Sequence, residues 1–291
     1  MMRKFTKVCI AVSGVLVVIS IIFFVVSAVL GFSFAEAKDT FRERWPWNKF
    51  GHSQDVNIEE ERAFWTHSGV KSLNVNISAG ECVIQEGEGN EVRVEYDGDE
   101  SRLTQTLEDG VLTIGMDDVE FSSLFDDEER TVYLYLPLGT FYESVELNVA
   151  AGTIYGDRLT AKEISVDVGA GSCDISELTA EKKADITVAG GNFNSSIFVA
   201  GEASFDCGIG NMNISGKIGN IDVDCGVGSI NLELEANEKD YNYKIQCGVG
   251  NIDINGESYT ALSKNKEINN SASATMDLDC GVGNINVNLY E

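Results

Sequence analysis

The chain has 291 residues, with 21 Lys and Arg against 47 Asp and Glu, a formal charge of −26. Without a basic footprint to neutralise phosphates, that balance excludes nucleic acid as a partner, and it argues against docking on anionic lipid through the body of the chain. Twenty-nine glycines with only two prolines suit many tight corners in a continuous β-structure, and seven cysteines form no Cys-x-x-Cys pair and no Cys/His cluster.

Residues 1–7 are a short cytoplasmic stub. Residues 8–35 carry no charged side chain, enough to cross about 30 Å of hydrocarbon with tilt, and are predicted as a single N-terminal transmembrane helix. Ala35-Glu36-Ala37 also has the small-x-small form of a cleavage site, so a cleaved secretory signal is the alternative. Arg3, Lys4 and Lys7 precede the span while Lys38, Arg42, Arg44 and Lys49 follow it, so positive charge alone does not orient it. A seven-residue stub is too short to hold a domain, and long domains are exported largely regardless of charge. The expectation is therefore an extracytoplasmic body on a single-pass membrane anchor. Residues 36–69 read as a mixed-charge connector. Its Trp45-Pro46-Trp47 suits either the membrane interface or a lid on the first coil, and residues 58–65 are predicted as a short helix.

From residue 70 to residue 291 the pattern is β. The stretch Asp224-Cys225-Gly226-Val227-Gly228-Ser229-Ile230-Asn231-Leu232 recurs from Asp206, from Gln246 and from Asp279. Looser copies surround Gly80, Gly152, Gly171 and Gly191. The last glycine of each copy falls at 80, 152, 171, 191, 210, 228, 250 and 283, giving central steps of 19, 20, 19, 18 and 22 residues. A strand-like repeat of this length is the signature of a solenoid, and the predicted fold is an all-β parallel β-solenoid (β-helix) with coils of 18–22 residues. Ile221, Val223 and Cys225 alternate with Asp222 and Asp224, so one face is apolar and the other acidic. The glycines then mark a corner where either a positive backbone angle or a close approach of neighbouring coils excludes a side chain.

Alignment of the copies places Val149, Val168, Val188, Cys207, Cys225, Cys247 and Cys280 in one inward column. Ile154, Cys173, Phe193, Met212, Ile230, Ile252 and Ile285 fall in a second. Asn192, Asn211, Asn251 and Asn284 share the position after the corner, where stacked amides can pass hydrogen bonds from coil to coil. Between Gly80 and Gly152, residues 91–96, 103–107, 111–114 and 131–136 alternate like strands, with Glu108-Asp109-Gly110-Val111 as a hairpin turn. These widen and cap the first coils. Residues 117–130 read as a solvated acidic loop, and the insertion at 255–275 as a mobile, neutral one. The final parallel edge is left open to pairing, blunted by Asn284, Asn286 and Asn288, or covered by an upstream segment.

Candidate chemistry is sparse. Cys82, Cys173, Cys207, Cys225, Cys247 and Cys280 replace Val, Ile, Phe or Met of equivalent coils and read as core, with disulfides along the column or a metal site as the sharper alternatives. Asp167, Asp206, Asp224 and Asp279 form an outward column that reads as a solvated acidic face, with calcium as the alternative. His52 and His67 precede the repeats, and neither a Gly-x-Ser-x-Gly elbow nor a phosphate loop is present. No residue is singled out as catalytic, cofactor-binding or metal-binding, and no cofactor is expected.

The Asp-Cys-Gly-Val-Gly-type repeat behind an apolar N-terminal segment resembles the bacterial "putative adhesin" β-solenoid family, a domain of unknown function. It is similar too to head-GIN autotransporter adhesin domains. The resemblance covers residues 72–290 and implies a cell-envelope location, in some members with a link to stress-response systems. It carries no catalytic residues. The expected function is a non-catalytic adhesin-like or envelope-scaffold module whose partner is a cell-envelope polymer or a membrane protein. The alternatives are a regulatory accessory of an envelope-stress complex and a polysaccharide-acting β-helix enzyme.

Overall fold

The structure is a computed structural model that describes residues 62–116, 130–260 and 265–291. The predicted membrane span, the Trp45-Pro46-Trp47 segment and residues 117–129 of the acidic loop lie outside the described residues. Among the described residues no helix is long and apolar enough to cross a membrane.

The described chain is all-β, as the repeat predicts. Its strands are β1 (Ala63–His67), β2 (Ser72–Ile77), β3 (Glu81–Gly87), β4 (Val92–Asp97), β5 (Leu103–Glu108), β6 (Val111–Met116) and β7 (Thr131–Pro137). Next come β8 (Tyr142–Val149), β9 (Thr153–Val168), β10 (Ser172–Val188), β11 (Asn192–Cys207), β12 (Asn211–Cys225) and β13 (Ser229–Glu235). The chain closes with β14 (Tyr241–Cys247), β15 (Asn251–Ile254), β16 (Glu257–Thr260), β17 (Lys266–Ile268), β18 (Ala274–Cys280) and β19 (Asn284–Tyr290).

The sequence of β10 shows how one coil is built. Cys173, Ile175, Leu178, Ala180, Ala184, Ile186 and Val188 are buried, and the alternation slips at Ser176-Glu177 and again over residues 181–183. Each slip is a bend, so one long strand wraps three short sides of a coil before the glycine corner turns into the next. The strands stack in parallel register, roughly 4.8 Å apart. Before the corner the spatial order is β6, β2, β8, β9, β10, β11, β12, β18, β14. After it the order is β7, β3, β9, β10, β11, β12, β13, β19, β15.

Two departures from chain order stand out. The β6/β7 pair stacks outside β2/β3 at one end. At the other, the last coil, β18/β19, is inserted between β12/β13 and β14/β15. The cysteine column therefore runs Cys207, Cys225, Cys280, Cys247, which corrects the order taken from the sequence. The last coil is covered on both sides, the third of the outcomes foreseen for it. The insertion at 255–275 is likewise not a plain loop. Its β16 and β17 pair antiparallel with β15 and β14 and supply hydrogen bonds to the outermost parallel edge. At the opposite end β5 pairs with β6, β4 with β7 and β1 with β4, all antiparallel. The β5–β6 hairpin turns at Asp109 (φ +51°) and Gly110 (φ +84°), as its sequence predicts. Residues 63–65 belong to β1 rather than to a helix, because Phe64 points out and Trp65 packs on the core in the alternation of an edge strand.

One apolar core fills the coils. Its bulkiest level carries Phe193, Phe198 and Phe205, with successive ring centroids 6.5 and 5.6 Å apart. The close-approach reading of the corners holds from Gly152 onward. A β-carbon on Gly171, Gly191, Gly210 or Gly228 would lie 2.0–2.1 Å from the carbonyl oxygen of the matching glycine one level away. Of the eight last-glycine positions only Gly80 has a positive φ, +98°.

Candidate binding face

The tight corner separates two outward faces of opposite chemistry. Its crest is the residue just before the last glycine of each copy. At one end of the stack this is Ala79, Ala151, Ala170 and Gly190, and at the other it is Ile209, Val227, Val282 and Val249. These four aliphatic side chains are exposed, Val249 by 80%.

On the side before the corner the face is acidic. Asp206, Asp224 and Asp279 are register neighbours, with Asp222 and Asp277 paired two positions earlier. Asp167 does not join this run, because Thr187 stands between it and Asp206. At the far end Lys244 Nζ lies 3.9 Å from Asp277 Oδ2. Among the described residues no group of three or more His, Cys, Asp or Glu has the geometry to hold a metal ion.

On the side after the corner the face is rich in amides and hydroxyls. The predicted asparagine stack appears at Asn211, whose Nδ2 donates to Asn192 Oδ1 over 3.1 Å. The longer ladder lies two residues further on. Asn286 donates to Asn231, Asn231 to Asn213 and Asn213 to Asn194, each over 2.8 Å, and Asn194 donates to Asp174. Sequence reasoning missed this column, although its signal was present: every member stands three residues past the last glycine of its copy. Each interior amide uses one N–H and one carbonyl lone pair along the ladder. One N–H and one lone pair therefore remain at Asn194, Asn213 and Asn231 for an outside group.

Where the ladder meets Asp174, a shallow groove of about 320 Å³ opens at the bend of the coils, lined by Tyr155, Asp157, Asp174, Ser176, Asn194 and Ser196. Tyr155 is 47% exposed and offers both a ring face and a hydroxyl. Partial burial, with the nearby Glu81 and Asp174 carboxylates, pushes its phenol up, so it is a neutral donor at physiological pH. Next to Asp157 in the chain, Arg158 donates to Glu86 over 3.0 Å and to Glu177 over 2.8 Å, spanning three levels.

The cysteines are placed inward, as the core reading has it. Cys82 and Cys173 are fully buried on either side of Ile154, and burial pushes the Cys82 thiol up to about 12. His67 Nε2 pairs with Gln105 Oε1 at 2.9 Å, and His52 lies outside the described residues.

A crystal structure of a "putative adhesin" from Bacteroides fragilis NCTC 9343 is 15% identical, with 78% of this chain and 97% of that chain covered at a TM-score of 0.39. A "putative cell adhesion protein" from Clostridium sporogenes ATCC 15579 is 17% identical over 79% of this chain and 100% of its own, at a TM-score of 0.34. A "putative lipid binding protein" from Parabacteroides distasonis ATCC 8503 is 11% identical over 80% and 98%, at 0.32. No curated protein matches the sequence. Residues 70–217, just over half of the chain, match the Toastrack DUF4097 family. The repeat, the parallel register and this match agree: the chain belongs to the Toastrack DUF4097 family.

Proposed function

We propose that this protein is a non-catalytic, adhesin-like module of the cell envelope whose amide face binds an envelope polymer, polysaccharide above all. In this reading residues 8–35 anchor it in the membrane, residues 36–69 connect, and the solenoid from residue 70 faces outward. The observation that carries it is the ladder from Asp174 to Asn286, which repeats one free donor and one free acceptor at its interior members Asn194, Asn213 and Asn231. A linear glycan presents hydroxyls at a comparable repeat, and the Tyr155 ring suits the apolar face of a sugar. Because the amides hold one another on paired strands, little side-chain freedom remains to be lost on binding.

The test is co-sedimentation of the purified chain with cell-wall sacculi, with and without calcium. Saturable binding in both conditions is expected. Binding that appears only with calcium assigns recognition to the acidic face instead. Absence of binding in either condition overturns the polymer reading and leaves a membrane-protein partner.

A further inference from the structure

Cys207, Cys225, Cys280 and Cys247 hold one register position on four successive levels. Packing explains part of this. Sγ of Cys207 lies against Gly228 as Cγ1 of Val188 lies against Gly210, so sulfur takes the place of a valine methyl. Packing does not require four sulfurs in a row. The thiols of Cys207, Cys225 and Cys280 donate to the carbonyl oxygens of Gly210 (3.0 Å), Gly228 (3.3 Å) and Gly283 (3.0 Å). Cys207, Cys225 and Cys280 are buried, whereas Cys247 is partly exposed. Cys247 ends the column, since β17 pairs only with Tyr243–Ile245 of β14 and stops two residues short of it.

We propose that Cys247 and Cys280 form a thiol–disulfide pair, a modification site that reacts with low-molecular-weight disulfides. Cys247 Sγ, as thiolate, attacks the small disulfide and forms a mixed disulfide, releasing one small thiolate that takes up a proton. Cys280 Sγ then attacks the Cys247 sulfur, closes the protein disulfide and releases the second small thiol. Two protein thiols are oxidised and one small disulfide is reduced to two thiols.

The pairing is selective for a physical reason. In-register neighbours about 4.8 Å apart fall within the Cα range of disulfides, but their β-carbons must close by a few tenths of an ångström. Cys207–Cys225 and Cys225–Cys280 are clamped between levels on both sides. The Cys247 level has a parallel neighbour on one side only and can make that movement. The adjoining Cys225 holds the Cys280 thiol below its usual value, which favours the resolving thiolate. Burial pushes the Cys247 thiol up, so the first step speeds up with rising pH.

The experiment treats the folded, full-length chain with oxidised glutathione and reads intact mass and a non-reduced peptide map. The expected result is loss of two thiols, no retained glutathione, and one Cys247–Cys280 linked peptide. Cys280→Val, which restores the residue found at Val149, Val168 and Val188, is expected to retain one glutathione on Cys247. Cys280→Ser serves the same purpose if valine impairs folding. The proposal is overturned if wild-type protein keeps the glutathione as the variant does, if neither thiol reacts in the folded chain, or if the recovered disulfide joins other cysteines.

Discussion

Replacing Gly228 with alanine tests the interlocking of the coils at a single atom. The new β-carbon would lie 2.1 Å from Gly210 O and 2.6 Å from Cys207 Sγ. Ordinary contact begins at 3.4 Å, so the two levels must part by about 1.3 Å at the corner. That displacement stretches Val227 N–H to Gly208 O (2.7 Å) and Ser229 N–H to Gly210 O (3.0 Å) beyond hydrogen-bonding range. Overpacking costs about 1–3 kcal/mol and each lost hydrogen bond about 0.5–1.5 kcal/mol, so the expected destabilisation is roughly 2–6 kcal/mol. Gly190→Ala is the control. Its β-carbon would meet nothing closer than Gly169 O at 3.7 Å, and its φ is not positive, so it should be neutral or stabilising by up to about 1 kcal/mol. Urea denaturation followed by far-UV circular dichroism compares the two. Equal midpoints for Gly228→Ala and Gly190→Ala would refute the close-approach account of the corners.

Other expectations follow from single side chains. Val223→Asp places an unpaired charge in a column between Phe205 and Leu278 and should unfold several levels, whereas Asp222→Asn should change stability by no more than about 0.5 kcal/mol; matching melting curves would show the faces to be misassigned. The Ser195 hydroxyl is buried without a hydrogen-bond partner, so Ser195→Ala should raise stability by about 1 kcal/mol, and a fall in the denaturation midpoint would contradict this. Burial pushes the phenols of Tyr142 and Tyr241 up to about 12. Their folded pKa exceeds the unfolded one, so this stability is fully present below about pH 10 and is lost as pH rises towards 12. Melting temperatures taken across that window should fall, and less steeply for Tyr142→Phe.

The fold was legible because its constraints are local and repeated. A glycine is required wherever two carbonyl-bearing corners touch, and period-two burial fixes which side of each strand is apolar, as in Ile221, Val223 and Cys225. The order of the last two coils was not legible. Cys247-Gly248-Val249-Gly250-Asn251-Ile252 and Cys280-Gly281-Val282-Gly283-Asn284-Ile285 are identical in type, so either fits beside the coil of Cys225. What separates them is the insertion after Asn255, whose β16 and β17 can cap only an outermost level. Of the helix expected at 58–65, residues 58–61 lie outside the described residues, and residues 63–65 misled because a short edge strand such as β1 offers only a few alternating positions, too few to exclude a helical period. The amide ladder was half legible: amides were expected to stack, but the continuous column is the one at Asn194, Asn213, Asn231 and Asn286. Turning Asp174 beside Tyr155 into a groove depends on the bend at Ser176, which no motif marks.

The most direct test of the central claim compares sacculus binding by Asn213→Ala and Asp224→Asn against the unaltered chain. Asn213→Ala breaks the ladder in its middle, removing the bonds to Asn194 and from Asn231. The account predicts that this variant stays folded and loses most of its saturable binding, while Asp224→Asn binds as the parent does. Retained binding in Asn213→Ala together with loss in Asp224→Asn would contradict it and assign recognition to the acidic side of the corner.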